Sequence, residues 1–565
     1  MLSTKQLAAT LSPLVLCGLA AGQAMNPPPQ FEVRLESDVV YPSLGLDVSI
    51  EGLNLPMVND AGDAVFIATL RDPNASPQLV PSIVMQRNGQ QPEVVAKVGE
   101  PAADLPGLTY SSLSDYSLNS VGDVMFRAQV AGPGVLVENR QALFISQGGA
   151  TSLAAREGQA VAGFDGNFTL QDIWFNTVEF NTNDRFTLYA EVQDTTVPFV
   201  LIHGAVLVGD PGGSLEALAI DRQYHPALGE ALRGPYFPTV DDLGQVAIPL
   251  TYEDWDDAVV LYTPETGLVE QYHRLDRSRN DSSIRLRGFQ QRALATTTPQ
   301  GELYSVWQVS ESANGGIVGF FGAIIRSTAN NGYELLLRDD QLGDDVPGFN
   351  FLGEVNRIDV NATGDIFLRH RIDSLSFDTG WVAHFNSQGE FVFRLDNGDA
   401  APGEAAGVTV EELDGALSDT GRSLITAELA GPGITTANRD VIYLREVSGD
   451  FMKVLQRGDT IDVDPDEAVT DLRTVNAFTN PHIVGTDVYV AASFAGGASA
   501  LLVADIRANP CPADVNADEV LDIDDFSAFV TSFFAGSSSA DQNADGELDI
   551  DDFSAFVTNF FAGCD

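Results

Sequence analysis

Residues 59–68 (NDAGDAVFIA), 119–128 (NSVGDVMFRA) and 361–370 (NATGDIFLRH) share an Asn-x-x-Gly turn followed by an alternating strand. More eroded copies are NTNDRFTLYA at 181, DDLGQVAIPL at 241, TPQGELYSVW at 298, SDTGRSLITA at 418 and HIVGTDVYVA at 482. The Gly positions, with Asp184 in that place in the third copy, are 62, 122, 184, 244, 301, 364, 421 and 485. Spacings of 57–64 residues indicate one structural unit repeated eight times.

Each repeat has the pattern of four short strands. One strand enters the turn, a second leaves it, a third such as VVLYT (259–263) follows, and a fourth such as FVFRL (391–395) ends the unit. The Asn and Asp residues of the turns tolerate left-handed conformations and bond their own backbone. Residues 31–507 therefore predict a mainly β fold, a β-propeller of about eight four-stranded repeats. A seven-bladed ring and an open array of sheets are the alternatives.

The two ends of the repeat array predict how the ring closes. The eighth repeat ends after ALLVADI (500–506) and lacks a fourth strand. FEVRLESDVVYPSLG, which starts at residue 31, has the pattern of an isolated fourth strand and its loop. We expect this first strand to complete the last blade, because that pairing covers two sheet edges that would otherwise favour aggregation.

A closer duplication occupies residues 511–565. Segments that start at Asp514 and Asp541 lie 27 residues apart and differ at four of 23 positions. In each segment an acidic loop precedes apolar residues at i, i+3, i+4, i+7 and i+8, which predicts a short helix with one apolar face. The apolar sets are Phe526, Phe529, Val530, Phe533 and Phe534, and Phe553, Phe556, Val557, Phe560 and Phe561.

Oxygen donors at loop positions one, three, five, seven, nine and twelve suit Ca²⁺, which takes six to eight oxygen ligands. The predicted ligands are Asp514, Asn516, Asp518, the carbonyl of Val520, Asp522 and Asp525, and Asp541, Asn543, Asp545, the carbonyl of Glu547, Asp549 and Asp552. A pair of solvated acidic turns is the alternative, but it does not explain twelve positions kept in register. Glu519 stands where the second loop has Gly546 in its tight turn, so we expect two calcium sites with the first weaker.

The duplicated tail resembles a type I dockerin, an EF-hand-like α-helical module that docks secreted proteins onto cohesin domains. The flanking CPAD and the terminal GC resemble, more narrowly, the GC-type anchor of planctomycete surface proteins. The resemblance implies a cohesin-like or cell-surface partner. Loop positions ten and eleven are Ile523-Asp524 and Ile550-Asp551 rather than the Ser-Thr pair that helps to choose the cohesin, so the identity of that partner stays open.

The repeats preceding the short linker 508–510 resemble the planctomycete "tandem repeat NxxGxxAF" surface proteins. This resemblance covers residues 31–507 through turn motifs, and it implies no known activity. Residues 1–24 have the pattern of a signal peptide, with Lys5 before an apolar run, so we expect export to the cell surface or the extracellular space.

Charge and cysteine content narrow the class of function. The chain has 30 basic and 80 acidic residues, a net charge of −50, which repels nucleic acid and anionic lipid. No later stretch approaches 18 unbroken apolar residues, so no membrane span is expected. Cys511 and Cys564 flank the tail, and an oxidising compartment favours a disulfide between them over two free thiols.

A binding or catalytic site should break the repeat. The irregular span around the fourth copy contains Tyr224, His225 and Tyr236, followed by the run Tyr252-Glu253-Asp254-Trp255-Asp256-Asp257. Carboxylates beside a Trp ring suit glycoside hydrolysis or sugar binding. Asp254, Trp255, Asp256 and Asp257 are therefore the candidate catalytic residues. The alternative is a long blade edge with solvated acids and a packed Trp.

These patterns together predict an exported calcium-binding protein attached to a surface or scaffold. The tail would dock to a cohesin-like partner, and the propeller would recognise a protein or a glycan. One alternative is a polysaccharide-degrading enzyme, a glycoside hydrolase or lyase carried on a dockerin. Another is a purely structural envelope protein.

Overall fold

The structure is a computed structural model. The residues that it describes are 31–45, 47–73, 77–164, 167–182, 185–197, 200–241, 243–274, 276, 278–279, 283–289, 295–298, 302–313, 316–328, 332–338, 355–370, 380–447, 449–463, 471–506, 513, 521, 523–535 and 550–562. The predicted signal peptide, the linker 508–510, Cys511 and Cys564 lie outside these residues.

The first half of the described repeat region forms a leading strand and four sheets, one for each blade. The chain starts with β1 (Phe31–Glu36), and blade 1 consists of β2 (Ser49–Val58), β3 (Ala64–Arg71), β4 (Leu79–Gln86) and β5 (Glu93–Lys97). Blade 2 consists of β6 (Thr109–Leu118), β7 (Val124–Ala131), β8 (Gln141–Gln147) and β9 (Ala150–Arg156), with a 3₁₀ turn at Val137–Asn139. Blade 3 consists of β10 (Ala160–Ala162), β11 (Phe168–Phe180), β12 (Phe186–Asp194), β13 (Ile202–Gly209) and β14 (Leu215–Ile220). Blade 4 consists of β15 (Tyr224–His225), β16 (Glu230–Pro235), β17 (Thr239–Val240), β18 (Val246–Tyr252), β19 (Asp257–Thr263) and β20 (Gly267–His273).

The second half continues the same order through four more sheets. Blade 5 consists of β21 (Ile284–Phe289), β22 (Ala295–Thr297), β23 (Leu303–Ala313), β24 (Gly316–Thr328) and β25 (Gly332–Arg338). Blade 6 consists of β26 (Val355–Val360), β27 (Ile366–His370), β28 (Trp381–Phe385) and β29 (Phe391–Asp396). Blade 7 consists of β30 (Thr409–Leu417), β31 (Ser423–Ala430), β32 (Asp440–Arg445) and β33 (Phe451–Gln456). Blade 8 consists of β34 (Thr460–Asp462), β35 (Leu472–Val484), β36 (Asp487–Phe494) and β37 (Ser499–Asp505).

The first strand closes the ring, as the sequence predicts. Strand β1 pairs antiparallel with β37, with Phe31 opposite Ala504 and Glu36 opposite Ala500. Eight buried apolar clusters then fill the eight junctions between neighbouring blades, including the junction of blade 8 with blade 1. The repeat region is thus an eight-bladed β-propeller, and the seven-bladed alternative is excluded.

The second strand of each blade carries apolar side chains on both of its faces. On β3, Val65 is buried in the junction with blade 2, whereas its neighbour Phe66 is buried in the junction with blade 8. On β7, Phe126 and Met125 divide in the same way between blades 1 and 3. Successive side chains of a strand point to opposite faces. Because a blade packs against a neighbour on both faces, both sets of side chains must be apolar.

The strands that enter the turns are longer than the sequence predicts. Strand β6 has 10 residues and β11 has 13, and their pairing with the second strand shifts register along the way. These shifts are β-bulges, which bend a strand and increase its twist. Asp115 on β6 and Glu412 on β30 adopt positive φ values of 37° and 42° at such irregularities. The alternation of apolar and polar residues does not encode bulges. The sequence pattern therefore predicts strands that are too short.

The Asn of the repeated turn has two roles, of which the sequence predicts one. Its side-chain oxygen accepts hydrogen bonds from its own turn, as when Asn59 Oδ1 accepts from the backbone N of Asp63 at 2.9 Å. Its amide nitrogen donates to the backbone carbonyl at the same position of the next blade. These bonds are Asn59 to Asn119 at 2.9 Å, Asn119 to Asn181 at 3.0 Å, Asn181 to Asp241 at 3.2 Å and Asn361 to Ser418 at 3.0 Å. We call this series the blade-to-blade asparagine chain.

Other residue types occupy the position of the turn Asn in repeats that depart from the Asn-x-x-Gly motif. Ser418 uses its hydroxyl oxygen to accept from the backbone N of Arg422 at 2.9 Å, and so it caps its own turn. His482 occupies the position in blade 8, and its Nε2 donates to the carbonyl of Pro56 in blade 1 at 3.1 Å. At the junction where the ring closes, a His side chain therefore makes the bond to the next blade that Asn makes elsewhere.

The tail contains two helices among its described residues, α1 (Ile523–Ala535) and α2 (Ile550–Ala562). They pack against each other through Phe529 and Phe556, whose rings are stacked with centroids 4.3 Å apart. Val530, Phe533, Val557 and Phe560 also pack on this core, so the predicted apolar faces are confirmed in part. Phe526, Phe553 and Phe561 are exposed although the spacing predicts them to be buried, and the side chain of Phe534 lies outside the described part of the chain. Within the described ranges, we find no helix long and apolar enough to span a membrane.

Removal of one amide from the asparagine chain should destabilise the folded protein. In Asn119→Ala, the buried carbonyl of Asn181 and the turn N–H of Asp123 both lose a partner. We expect the free energy of unfolding to fall by about 2 kcal/mol, measured as a shift in the urea midpoint. Asn386→Ala is the matched control, because Asn386 caps an exposed turn in the same manner without a bond to another blade. An equal loss in both variants would contradict the role of the asparagine chain.

His384 predicts a pH dependence of stability. It is buried between blades 6 and 7, with Nδ1 3.4 Å from the Ser423 hydroxyl, and burial lowers its pKa to about 4. The unfolded chain binds a proton near pH 6.5, so the unfolded state holds more protons than the folded state between these two values. The contribution of His384 to the free energy of unfolding is therefore fully present above about pH 6.5. It decreases by about 3 kcal/mol as the pH falls to about 4.

Urea unfolding of the wild type and of His384→Gln at pH 7, 5.5 and 4 measures this contribution. The difference in unfolding free energy between the two proteins should shrink as the pH falls, because only the wild type has the titrating imidazole. A difference that stays constant over the three pH values would show that His384 does not titrate as proposed.

Candidate functional site

A groove of about 540 Å³ between blades 3 and 4 brings the aromatic residues of the irregular span together with residues from blade 3. It is lined by Trp174, Tyr189, Asp221, Arg233, Gly234, Pro235, Tyr236, Phe237, Thr251, Trp255 and Asp257. The strands of two blades build it, so its floor is fixed by the packing of the blade junction.

One wall of the groove is a run of three aromatic rings. Trp174 on β11 faces Tyr189 on β12 in the strand register, and their ring centroids are 5.7 Å apart in an edge-to-face arrangement. Tyr189 also meets Phe237 of blade 4 edge-to-face at 5.6 Å. Gly204 leaves space for Tyr189, since a Cβ there would lie 2.1 Å from the Tyr189 hydroxyl. The rings are therefore held in place by the sheet and by one another.

Trp255 forms the opposite wall, at the tip of the tight turn between β18 and β19. Its backbone N donates to the carbonyl of Tyr252 at 3.0 Å, and its φ of 73° is left-handed. For a bulky residue this conformation costs about 1 kcal/mol, and such strain concentrates at functional sites. The turn holds the indole outward, where the Arg233 guanidinium lies 3.1 Å from the ring centroid.

A short hydrogen-bonded series supplies polar groups to the groove. The Thr251 hydroxyl donates to Asp257 Oδ1 at 2.6 Å, so its oxygen is left to accept from the Tyr236 hydroxyl at 3.3 Å. All three residues line the groove, with Thr251 buried and Tyr236 exposed. The series fixes the direction of the Asp257 carboxylate.

Asp221, just after β14, is the second carboxylate of the groove. Burial raises its pKa, although Arg222 lies 3.6 Å from its Oδ2 and opposes the shift. Its Oδ1 is buried and has no hydrogen-bond partner among the residues that the structure describes. A buried polar atom in this state can accept a bond from a ligand at little desolvation cost.

The structure divides the predicted acidic cluster. Trp255 and Asp257 line the groove. Asp254 instead accepts from the backbone N of Asp256 within the turn, and the Asp256 carboxylate pairs with Arg274 at 3.0 Å. His225 is partly buried and packs edge-to-face on Phe164 outside the groove.

Sequence reasoning missed Trp174, Tyr189, Asp221, Arg233 and Phe237. Arg233 and Phe237 belong to RGPYFP (233–238), an aromatic and Pro-rich break in the repeat that offered a signal. The three residues from blade 3 gave none, because they join the site only through the packing of two blades.

A larger cleft of about 740 Å³ lies between blades 2 and 3, next to Arg156 and Glu157. Its charged side chains serve the fold. Arg156 Nε donates to the carbonyl of Asn139, and Glu157 Oε2 accepts from the backbone N of Gln141, both at 2.9 Å. The aromatic groove is therefore the stronger candidate for a binding site.

Two of the twelve predicted calcium ligands lie among the described residues. Asp525 and Asp552 are each the third residue of a tail helix, and both are fully buried. The other ten lie outside the described residues, as do Cys511 and Cys564. Where the chain is described, no group of three or more His, Cys, Asp or Glu residues is arranged to bind a metal. The two buried carboxylates are oxygen donors of the type that Ca²⁺ requires.

The fold and the groove define an eight-bladed β-propeller with an aromatic groove between two blades. The chain belongs to the family described as "Family of unknown function (DUF7453)", whose profile matches residues 33–221 and 378–487, just over half of the chain. No curated protein sequence matches it.

Solved structures with a similar course of the chain include three of different kinds. A eukaryotic initiation factor is 9% identical with a TM-score of 0.38, covering 83% of this chain and 90% of its own. The polysaccharide lyase Uly1 is 11% identical with a TM-score of 0.29, covering 74% and 94%. The β-propeller domain of the trilobed protease from Pyrococcus furiosus is 10% identical with a TM-score of 0.24, covering 46% and 78%.

Proposed function

We propose that the propeller recognises a carbohydrate in the aromatic groove. The observation that carries the proposal is the exposure of four large aromatic side chains around one groove: Trp174 is 43% exposed, Tyr236 42%, Phe237 54% and Trp255 60%. Rings of this size are usually buried, and their concentration at one exposed place marks a binding surface. Sugar rings present C–H faces that stack on such side chains.

The polar residues of the groove complete the match to a sugar. A binding pocket combines apolar walls with a few directed polar groups that set orientation. Asp257, oriented by Thr251, can accept hydrogen bonds from hydroxyl groups. Arg233 can donate to ring or substituent oxygens. These groups converge between the aromatic walls, where a sugar would lie.

Polysaccharide cleavage is the alternative activity that the same groove could support. Asp221, whose pKa is raised by burial, and Asp257 are two carboxylates in one groove with different surroundings. Such a pair can divide the roles of acid and base in glycoside hydrolysis. Release of new chain ends from a bound polysaccharide, lost in Asp221→Asn, would favour the enzyme over the binding module.

Truncation of the aromatic walls tests the proposed function. We expect Trp255→Ala and Trp174→Ala each to weaken polysaccharide binding by about tenfold, about 1.4 kcal/mol, because each removes one stacking surface. Affinity electrophoresis of the full-length protein in gels that contain plant and algal polysaccharides measures this.

Phe391→Ala is the matched control, since Phe391 is an exposed aromatic residue of blade 6 and lies outside the groove. Its affinity should equal that of the wild type. If the wild type binds no polysaccharide, the proposal fails, and a purely structural role becomes the better interpretation.

We also propose that the tail is a calcium-dependent docking module, the second part of an exported, surface-attached protein. Burial of Asp525 and Asp552 supports this, because it places two carboxylates, oxygen donors of the type that Ca²⁺ prefers, beside one small apolar core. The stacked Phe529 and Phe556 relate the two copies to each other. Ca²⁺ would supply the positive charge that holds the loops against these helices.

The surface of the helices supports docking to a protein. Ile523 and Ile550 occupy equivalent positions in the two copies, and both are 71% exposed. Matched apolar residues on a duplicated module offer a partner two similar contact surfaces. A cohesin-like protein is the partner that the dockerin resemblance implies, with the Cys511–Cys564 disulfide closing the module.

Calorimetric titration of Ca²⁺ into the metal-stripped, full-length protein tests the tail. We expect two binding events, with the weaker one lost in Asp525→Asn and the tighter one lost in Asp552→Asn. Asp524→Asn and Asp551→Asn, which change the adjacent loop position that offers no predicted ligand, are the matched controls. Heat signals that are the same in all five proteins would exclude these carboxylates as ligands.

A further inference from the structure

Arg233 is the positively charged residue of the groove, and its guanidinium is held in an unusual way. It lies over the Trp255 ring at 3.1 Å from the centroid, at an exposed position of β16. No hydrogen bond or ion pair joins it to another residue among those that the structure describes. Asp221 attracts it electrostatically but is not bonded to it. The ring covers one face of the guanidinium and leaves the N–H groups at its edge available.

Three of the other four arginines that lie over aromatic rings in the described part of the chain have acidic partners. The fourth, Arg445 over Phe393, is buried and donates to the carbonyl of Glu446. Arg185 over Tyr262 is 3.6 Å from Asp210. Arg394 over Trp381 pairs with Asp396, and Arg473 over Phe494 pairs with Asp471 and Glu36. In a chain with 80 acidic and 30 basic residues, such partners are abundant. The lack of one at Arg233 leaves its hydrogen-bonding capacity for a ligand.

The chemistry of this residue selects an oxyanion. A guanidinium presents five N–H donors in a rigid plane, and two parallel donors match a carboxylate or a sulfate. Stacking on Trp255 fixes that plane, so little side-chain entropy is lost when the ligand binds. A neutral hydroxyl group would use only one donor at a time and would not benefit from the fixed orientation.

We propose that the groove recognises an acidic glycan, through a uronate carboxylate or a sulfate ester bound by the edge of the Arg233 guanidinium. This inference rests on the proposed carbohydrate-binding function and specifies its ligand class. The sugar rings stack on the aromatic walls of the groove, while the oxyanion lies next to the edge of the Arg233 guanidinium. Asp257 then accepts from a hydroxyl group of the same or the next sugar.

The net charge of −50 must be reconciled with an anionic ligand. Repulsion between the protein surface and a polyanion acts over the Debye length, which is about 8 Å at 0.15 M salt and about 3 Å at 1 M. A direct contact between Arg233 and an oxyanion is much shorter than either distance. Added salt therefore weakens the long-range repulsion more than the contact, and binding should persist at high salt.

Matched polymers separate the acidic group from the sugar backbone. The probes are polygalacturonate and its methyl ester, which share one backbone, and dextran sulfate with dextran. The full-length wild type, at 0.15 M and 1 M NaCl, should bind an acidic polymer at least about tenfold more tightly than its neutral counterpart. Preference for polygalacturonate identifies a carboxylate as the ligand group, and preference for dextran sulfate identifies a sulfate.

Substitutions of Arg233 decide whether this residue is responsible. Arg233→Gln should abolish the preference, so that an acidic polymer and its neutral counterpart bind this variant with equal affinity. Arg233→Lys should retain part of the preference for the acidic polymer, because the positive charge remains but the parallel N–H donors of the planar guanidinium are lost. Arg185→Gln is the matched control for removing an arginine that lies over an aromatic ring, and it should keep the preference.

The remaining outcomes would refute either the acidic ligand alone or carbohydrate binding as a whole. Equal binding of acidic and neutral polymers, or a preference that survives in Arg233→Gln, refutes the acidic ligand and leaves carbohydrate binding intact. Absence of binding to all four polymers and to other polysaccharides refutes both this inference and the proposed function. Thermal unfolding midpoints confirm that the variants are folded.

Discussion

The hydrogen bond from a turn Asn to the next blade is the constraint that recurs at four of the eight blade junctions. Each Asn fixes its own turn through Oδ1 and the neighbouring blade through Nδ2, as Asn119 does with Asp123 and Asn181. A buried amide with all its bonds made is strongly directional. It therefore sets the stagger between blades, which the apolar clusters alone would leave free to slide. His482 makes the corresponding bond to blade 1, so the same constraint extends across the closure.

The groove exists because of this fixed stagger. Trp174 and Tyr189 come from blade 3, whereas Phe237 and Trp255 come from blade 4. A small slide between the two blades would separate the walls. The site thus combines rigid strands with one strained turn at Trp255, an arrangement that keeps aromatic surfaces in place before a ligand arrives. The proposed carbohydrate function follows from this preorganisation together with the available Arg233.

Much of the fold could be predicted from the sequence, because its local rules are strict. The glycines at 62, 122, 244, 364, 421 and 485 all have positive φ, as the turn motif predicts. The pairing of β1 with β37 was also predictable, since one end lacks a strand and the other has a spare one. The site was predicted in part. Trp255 and Asp257 stood out as a break in the repeat, but Asp254 and Asp256 could not be distinguished from Asp257, because turn geometry decides which carboxylate faces the groove.

The sequence by itself predicted about eight blades, the place of each turn and the closure of the ring, because these depend on residues that are close in the chain or on strand counting. The structure then excluded a seven-bladed ring. The sequence also determined the duplicated tail and the twelve positions that predict calcium ligands. Only the tertiary structure decided which side chains share the groove and that Arg233 lies over the Trp255 ring there. Trp174 and Trp255 are far apart in the chain, and their proximity is set by the packing angle between two blades, which no local pattern encodes.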